Sequence, residues 1–308
     1  MNAVLIIDKP AGLTSHDVVN RVRRILGERA VGHLGTLDPL ATGVLPMVIG
    51  NLTRLAQFYS SCVKAYSGAI SFGFATDTYD SAGEAISPAQ SVSLYLTQVR
   101  QLARQFHGVI EQTPPPFSAK KIQGVPAYKL ARKHMEVALK PVQVEIHEFE
   151  ITEVENDRAK FRARVASGTY MRSIAHEMGQ KLGCGAHLES LRRTAVGEFE
   201  LSAAHTLEEL EVVCQSGDIE ELFVHPRRIL PALPSVTATE EMATLIRSGR
   251  AVNLPDLSQA RQVKVFRGQR ELIAIATRIA GTLFHPKIVL IESVNAVKAA
   301  GRRQSYNV

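Results

Sequence analysis

Apolar residues form two different patterns over the first thirty positions. The run AVLIID (3–8) is continuously apolar and stops at a Lys-Pro pair, which is typical of a short buried strand. Positions 14–27 repeat apolar residues at helical spacing, with Thr14 or Ser15 as the candidate N-cap and Gly27 as the stop. The apolar stripe of this segment consists of Val18, Val22, Ile25 and Leu26. The pattern predicts a strand followed by a helix.

Alternation with a period of two predicts strands farther along the chain. Residues 142–155 and 159–167 are strand-like on either side of a turn at Asn156-Asp157, which predicts an antiparallel hairpin. Another strand is predicted at 65–77, and the spacing of apolar residues in 92–107 predicts a helix. Strands and helices thus alternate irregularly, which favours an α+β fold over a doubly wound parallel sheet.

A third predicted helix and a group of prolines define the organisation of the second half. Residues 167–183 turn through a glycine into a helix whose apolar face holds Met171, Ile174, Ala175, Met178 and Leu182. Prolines at 226, 231 and 234 then mark a boundary. We predict a large domain at 1–230 with a distinct insertion at about 117–145. A small β-rich domain at 235–296 and a frayed tail at 297–308 would follow.

Composition limits the classes of function. The 308-residue chain carries a net charge of +6 with a pI near 9.3, which is compatible with an anionic partner such as nucleic acid. Three scattered cysteines do not form a disulfide framework or, with His187, a zinc site, so a reducing cytoplasmic location and no metal are expected. No apolar run is long enough for a membrane span, and no glycine-rich phosphate loop suggests a nucleotide cofactor.

Charge is segregated along the sequence. Residues 117–145 hold six Lys or Arg and two acids, and residues 158–193 hold eight and two. Residues 198–226 hold eight acids and neither Lys nor Arg. Solvated surfaces usually mix signs, so this distribution predicts one basic side that neutralises phosphates and one acidic side turned away from them.

The stretch GHLGTLDPLATGVLP (32–46) surrounds a single acid, Asp38, with three glycines and two prolines. Asp-Pro is a common turn pair, so a turn is the simpler interpretation of this acid alone. The functional interpretation is a carboxylate presented from a rigid loop, ionised and oriented by a distant arginine. Arg172, at the start of the 167–183 segment, is the candidate partner, although a surface arginine is the alternative.

Aromatic residues add a second layer to this candidate site. Tyr66 begins an alternating strand, so it is either a core aromatic or a platform for a stacked base. Tyr170 directly precedes Met171 in the segment SGTYMRS, and His33 belongs to the glycine-rich loop. His33 is either a turn residue or a side chain that stacks against nucleotides.

Six segments together resemble the bacterial tRNA pseudouridine synthases of the TruB type over roughly residues 3–230. They are LIIDKPAGLTSHDVVNRVRRI, GHLGTLDPLATGVLP, KAYSGAISFGFATDTYDSAGE, PPPFSAKKIQGVPAYKLAR, SGTYMRSIAHEMG and GCGAHLESLRRT. The resemblance implies a mixed, mostly antiparallel sheet flanked by helices. It also implies isomerisation of uridine 55 in the TΨC arm of tRNA without a cofactor, by a monomeric protein. The 235–296 segment loosely resembles a PUA-type RNA-binding domain.

The resemblance also assigns roles. Asp38 matches the catalytic aspartate, Tyr66 the tyrosine that stacks on the target base, and Arg172 the arginine paired with the aspartate. Leu191 matches an apolar residue of the pocket, and Tyr170 is expected to pack nearby. These roles include no metal ligand.

Substrate contacts outside the pocket follow from the same resemblance. His33 matches a histidine that fills the space left by the flipped base, and the 117–145 insertion would clamp the RNA arm. Lys9, Lys120 and Lys121 are predicted to contact the RNA. The family usually turns on a glycine after YKLAR, whereas this chain has Lys133-His134, so the tip of the clamp is expected to differ.

Two other functions remain open at this stage. A non-catalytic module that binds and folds tRNA would also have a basic side and an appended domain. A glycosylase would also place an aspartate near C1′ but would release the base. An RNA-modifying isomerase alone explains the constrained acid, the distant arginine and the tyrosine together.

Overall fold

A computed structural model describes residues 1–118, 120–122, 124–131, 133 and 139–291. The expected tail at 297–308 and the part of the predicted clamp around His134 lie outside the described residues. Seven α-helices are described: α1 (Ser15–Leu26), α2 (Ala56–Tyr59), α3 (Leu96–Ala103), α4 (Ala127–Ala131), α5 (Met171–Leu182), α6 (Leu207–Ser216) and α7 (Glu240–Arg247).

The described strands form one large sheet, one smaller sheet and a two-stranded ribbon. In chain order they are β1 (Ala3–Lys9), β2 (Val31–His33), β3 (Thr42–Ile49), β4 (Lys64–Phe72), β5 (Gly108–Gln112), β6 (Lys121–Ile122), β7 (Val125–Pro126), β8 (Val142–Glu155), β9 (Arg158–Val165), β10 (Ala186–Val196), β11 (Phe199–Glu200), β12 (Ser235–Thr237), β13 (Val252–Asn253), β14 (Gln262–Arg267), β15 (Glu271–Ala280) and β16 (Leu283–Val289).

The large sheet is mixed and mostly antiparallel. Its order is β1-β3-β10-β4-β9-β8-β5, with β2 added to β3 and β11 added to β10. The pairing between β3 and β10 is parallel, and the remaining pairings of this sheet are antiparallel. The α+β expectation and the predicted hairpin, now β8 and β9, are therefore confirmed.

The predicted helix after the first strand is confirmed with its cap. Thr14 and Asp17 form a reciprocal capping box, and Gly27 ends α1 in the left-handed conformation at φ 61°. Val18, Val19 and Val22 are buried in the core under the sheet. Helix α5 buries Met171, Ile174, Ala175 and Met178 in the same core and ends at Gly183.

Two predicted elements are longer in the sequence pattern than in the structure. Strand β4 stops at Phe72 because Gly73 adopts a positive φ of 110° and leaves the sheet. The helix predicted at 92–107 is α-helical only at Leu96–Ala103 and closes with a short 3₁₀ turn at Arg104–Phe106.

The C-terminal segment forms the smaller sheet, in the order β12-β14-β15-β16-β13, with α7 packed against it. Its β-rich character was predicted, whereas α7 was not. This unit shares an apolar core with the large sheet, in which Phe266, Ile275 and Leu290 pack with Val4 and Val44. The buried Lys264 Nζ also donates to the carbonyl of Ile229, at 2.7 Å.

Candidate active site

The Asp38 loop connects β2 to β3 and is held by its backbone. Arg193 on β10, which is 1% exposed, donates to the carbonyls of Gly35 (2.9 Å), Thr36 (3.2 Å) and Val44 (2.8 Å). Gly43, at φ 97°, brings β3 so close to β10 that a Cβ there would lie 2.2 Å from the Arg193 carbonyl oxygen. One buried arginine thus fixes both ends of the loop.

The centre of the loop is held from the N-terminal segment. Ser15 Oγ accepts from Leu37 N at 2.8 Å and donates to Leu37 O at 3.0 Å. Lys9 Nζ donates to the carbonyls of Leu13 (2.6 Å), Pro10 (2.8 Å) and Pro39 (3.3 Å). These bonds fix the backbone on both sides of the acid, as expected for a rigid loop that presents it.

The position of Lys9 argues against its predicted contact with RNA. Its side chain is fully buried, and its ammonium group is occupied by three backbone carbonyls. Burial lowers the pKa of Lys9 to about 8, although Asp38 opposes the effect. Lys9 is therefore placed to support the loop and not to contact RNA phosphates, because it has no surface through which a phosphate could approach.

Asp38 forms an ion pair with Arg172, whose Nε lies 2.9 Å from Asp38 Oδ2. Arg172 is 5% exposed, so it is not the surface arginine of the alternative interpretation. Its Nη1 donates to Thr78 O at 3.1 Å, and its Nη2 donates to Phe117 O at 2.9 Å. Asp80 Oδ2 lies 3.6 Å from Nη1, so the guanidinium stands between two carboxylates.

Opposing effects act on the Asp38 carboxyl. Desolvation in the cavity raises the pKa of Asp38, Arg172 lowers it, and the second acid, Asp80, raises it. The net direction is upward. Arg172 therefore favours ionisation of Asp38 but does not fully offset the effect of its partial desolvation, whereas the sequence predicted an acid kept ionised by this arginine.

Tyr66 on β4 lies opposite Arg193 on β10 in the antiparallel register. Desolvation raises the pKa of Tyr66, and the hydrogen-bonded Arg193 opposes this rise. Leu191, 9% exposed, lies two residues before Arg193 on the same face of β10. Tyr66, Leu191 and Asp38 line one cavity of about 280 Å³, which can accommodate a planar base.

Tyr170 also lines this cavity, and its backbone is fixed by an amide side chain. Gln112, 1% exposed at the end of β5, accepts from Tyr170 N (2.8 Å) and donates to Tyr170 O (3.1 Å). Because Tyr170 is the N-cap of α5, this pair of hydrogen bonds fixes the start of the helix that carries Arg172.

The remaining predicted contacts lie outside the cavity wall. His33 ends β2, and burial lowers its pKa, with Arg193 adding to the effect. Lys120 is partly exposed just before β6, and its carbonyl accepts from Ala127 N at 2.8 Å. Lys121 begins β6, and its side chain is outside the described part. The structure thus groups Asp38, Arg172, Tyr66, Tyr170 and Leu191 but not these three residues.

The basic segment at 158–193 has fewer free cations than its sequence indicates. Three of them pair with acids on the outer face, in the pairs Arg158–Glu189, Lys160–Glu153 and Arg192–Asp8. Arg172 and Arg193 are buried. Within the described residues, Arg162 and Arg164 are exposed without an ion pair, so they are the cations of this segment most available to phosphates.

Sequence reasoning missed three residues of this site. Arg193 holds the loop, Asp80 lies beside Arg172, and Gln112 holds Tyr170 at the start of α5. The partners of Arg193 and Gln112 are backbone atoms. The motif LRRT did contain Arg193, and the polar turn TDTYDSAGE contained Asp80. An unusual feature of that turn is Tyr79, whose φ of 64° is left-handed and whose ring stacks on His176 at 3.7 Å.

The described residues contain no cluster of three or more His, Cys, Asp or Glu arranged to hold a metal ion. Across that same part of the chain, no helix is long and apolar enough to cross a membrane.

Comparison with protein families gives a consistent result. A family model described as TruB family pseudouridylate synthase (N terminal domain) matches residues 23–171. A second, described as tRNA pseudouridylate synthase B C-terminal domain, matches residues 172–232. These two matches are contiguous and include Asp38, Tyr66, Arg172 and Leu191.

Relatives named tRNA pseudouridine synthase B match most of the chain. The protein from Solibacter usitatus is 48% identical over 293 residues, covering 94% of this chain and 100% of the relative. The protein from Geobacter sulfurreducens is 37% identical, covering 91% and 95%, and that from Bacillus cereus is 40% identical, covering 81% and 83%.

Solved structures show the same fold at lower identity. The archaeal box H/ACA sRNP Nop10-Cbf5 complex contains a chain with a TM-score of 0.68 and 23% identity, matching 95% of this chain and 87% of its own. A chain of a Cbf5-Nop10-Gar1 complex gives 0.69 and 24%, matching 94% and 85%. The resemblance inferred from six sequence segments is confirmed, and the chain belongs to the TruB family of pseudouridylate synthases.

Proposed function

We propose that this protein is a tRNA pseudouridine synthase that isomerises uridine 55 in the TΨC arm of tRNA. The observation that carries the proposal is the Asp38–Arg172 ion pair at the wall of a base-sized cavity, beside Tyr66 and Leu191. The names of the curated relatives support tRNA as the substrate.

The reaction is an isomerisation of one nucleotide. The N1–C1′ bond breaks, the uracil turns, C5 bonds to C1′, and the proton lost from C5 is balanced by one gained at N1. No electrons are exchanged with an outside group, so this chemistry needs no redox cofactor. Asp38 acts either as the nucleophile or as the base and electrostatic stabiliser of the detached sugar.

The target base must leave its stack before it can react, which costs a few kcal/mol. Stacking on the Tyr66 ring offsets part of this cost, and a raised pKa keeps the Tyr66 phenol protonated near neutral pH. Leu191 forms an apolar wall that limits access of water to the detached sugar. His33 fills the space that the base leaves in the RNA, acting from outside the cavity.

RNA binding extends beyond the cavity in this proposal. Residues 1–230 form the catalytic domain, the insertion at 117–145 clamps the RNA arm with Lys120 and Lys121, and residues 235–296 form a PUA-like RNA-binding domain. The protein acts as a monomer in the cytoplasm without a bound metal. The apolar core shared by the two sheets supports a fixed relation between catalytic and C-terminal units.

The test is incubation of unmodified tRNA with the wild type and with Asp38→Asn. Pseudouridine is mapped by carbodiimide labelling and primer extension. Wild type should modify position 55, and Asp38→Asn should lower the rate by roughly 10³-fold or more. Asp8→Asn is the matched control, because Asp8 pairs with Arg192 on the outer face of the sheet.

Three outcomes would contradict the proposal. If wild type binds tRNA but forms no pseudouridine, a non-catalytic module remains. If free uracil is released, the protein is a glycosylase. Equal activity of Asp38→Asn and wild type would remove Asp38 from the mechanism.

A further inference from the structure

One end of the active-site cavity carries positive charge without a counter-ion. Lys64, Arg172, Arg193 and Asp38 are the charged residues of its wall. Arg172 is balanced by Asp38 and by the adjacent Asp80. Lys64 and Arg193 form no ion pair with any acid in the described part of the chain. Buried charges are normally paired, so this end of the cavity is suited to an anionic group.

Lys64 is the cation of this pair that is free to bind. It is 8% exposed, lines the cavity, and forms no hydrogen bond with a described residue. Arg193, in contrast, is committed to three loop carbonyls. A Cβ built on Gly35 would lie 3.5 Å from Arg193 Nη1 and 3.8 Å from Lys64 Cε, so the two side chains converge on one point of the loop.

The other wall of this end adds a polar donor. Lys64 pairs with Val165, the last residue of β9, so it lies beside the turn that leads into α5. Within this turn Thr169 lines the cavity, and its buried Oγ1 has no hydrogen-bond partner in the described chain. The N-terminus of the twelve-residue α5 follows directly and lacks a side-chain cap.

We infer that Lys64 and Thr169 form a phosphate subsite that binds one of the two phosphates flanking the flipped nucleotide. This inference rests on the proposed function for the identity of the RNA. Lys64 and Tyr66 are two residues apart on one face of β4, a separation of about 6.6 Å. That spacing suits a nucleotide whose base stacks on Tyr66 and whose phosphate reaches Lys64.

A phosphate fits this end better than a uracil carbonyl does. A full negative charge balances the surplus of Lys64 and Arg193, whereas a carbonyl supplies only a dipole. Burial lowers the pKa of Lys64, and the neighbouring Arg193 lowers it further. A bound phosphate would oppose both effects by supplying a counter-ion to the ammonium group.

The experiment measures binding without turnover, in an Asp38→Asn background. The probes are T-arm RNA hairpins that carry a neutral methylphosphonate at the phosphate 5′ or 3′ of the target uridine. We expect one of the two probes to bind Asp38→Asn about tenfold more weakly than the unmodified hairpin. Added Lys64→Met should weaken binding of the unmodified hairpin by a similar factor and abolish the sensitivity to methylphosphonate.

Salt dependence gives an independent signature of a phosphate contact. Lys64→Met should reduce the slope of log K against log salt by about 0.7, the value for one contact to single-stranded RNA. Lys64→Arg, which keeps the charge, should retain the slope. Lys160→Met is the matched control, because Lys160 lies on the outer face of the neighbouring strand and pairs with Glu153. It should leave the methylphosphonate effect unchanged.

The inference is overturned if Lys64→Met binds the unmodified hairpin as tightly as its parent does. It is also overturned if the methylphosphonate weakens hairpin binding by Lys64→Met as strongly as it weakens binding by the parent. Contact to a base carbonyl would give the second result. If Lys64→Met does not fold, the methylphosphonate scan of the parent decides: insensitivity at both positions overturns the inference. Absence of pseudouridine in the wild type would overturn the proposed function and leave the binding result interpretable.

Discussion

Arg192 and Arg193 are neighbours on β10 and point to opposite faces of the large sheet. Arg192 is partly exposed and pairs with Asp8, with Nη2 2.6 Å from Oδ2. Arg193 is 1% exposed, has no acidic partner in the described chain, and donates to three carbonyls of the Asp38 loop and its flank. The same residue type thus forms a solvated ion pair on one face and a backbone support on the other.

This difference extends to the other cations of the two faces. On the outer face, Arg158 and Lys160 are also partly exposed and pair with glutamates. Within the core, Lys9 donates to carbonyls, and Arg172 combines carbonyls with carboxylates. Exposed pairs contribute about 0–1 kcal/mol because water screens them, whereas an unmade buried hydrogen bond costs about 1–3 kcal/mol. Stability and loop geometry should therefore depend on the inner cations.

The largest effect on stability is expected for Arg193→Met. This change leaves the carbonyls of Gly35, Thr36 and Val44 without a donor, so unfolding free energy should fall by about 3 kcal/mol or more. Arg192→Met should cost less than about 1 kcal/mol. Urea denaturation of the two variants measures both values, and equal losses would contradict the distinction between the two faces.

Local signals explain how much of the fold could be predicted. Helix α1 and the β8–β9 hairpin were predicted because a capping box, a C-terminal glycine and an Asn-Asp turn are contiguous in sequence. The end of β4 was missed because Gly73 leaves the sheet through its φ, which the alternation of apolar residues does not report. The core shared by the two sheets depends on contacts more than 200 positions apart, such as Asn51 with Leu290.

The residues of the candidate site also differ in whether the sequence around them indicates their role. Asp38, Tyr66 and Arg172 were assigned by resemblance, and their proximity is now visible as an ion pair and a common cavity. Arg193 and Gln112 could not be assigned, because their partners are main-chain atoms of distant residues and carry no side-chain signature. The surroundings of Lys9 were missed for the same reason: its charge is evident in the sequence, but the three carbonyls that accept from it are not.

Lys9→Met tests the contribution of the buried cations to stability at a second position. Loss of the ammonium group leaves the carbonyls of Pro10, Leu13 and Pro39 without this donor, which should lower the unfolding free energy by about 2 kcal/mol. RNA affinity should fall only as far as the Asp38 loop is disturbed. Lys160→Met, on the outer face, should have little effect on stability. An unchanged melting temperature with a reduced salt slope would instead restore Lys9 as a phosphate contact.

The smallest effect is expected on the pH dependence of activity, as a shift of its acid limb, the pH range in which activity falls as Asp38 becomes protonated. The direction of the shift distinguishes the effects of Arg172 and Asp80 on Asp38. The proposed reaction needs ionised Asp38, whose pKa desolvation raises, so the wild-type limb should lie above the ordinary aspartate value of about 3.9. Arg172 favours the carboxylate, so Arg172→Gln should move the limb upward.

Asp80 provides the opposite perturbation at the same site. Its negative charge raises the pKa of Asp38, so Asp80→Asn should move the acid limb of single-turnover activity downward, by less than the Arg172 shift. Loss of rate alone would not separate the two variants, because each also disturbs the position of the loop or of Arg172. Opposite shifts would tie the titrating group to Asp38, whereas shifts in the same direction would show that the limb reports structural damage.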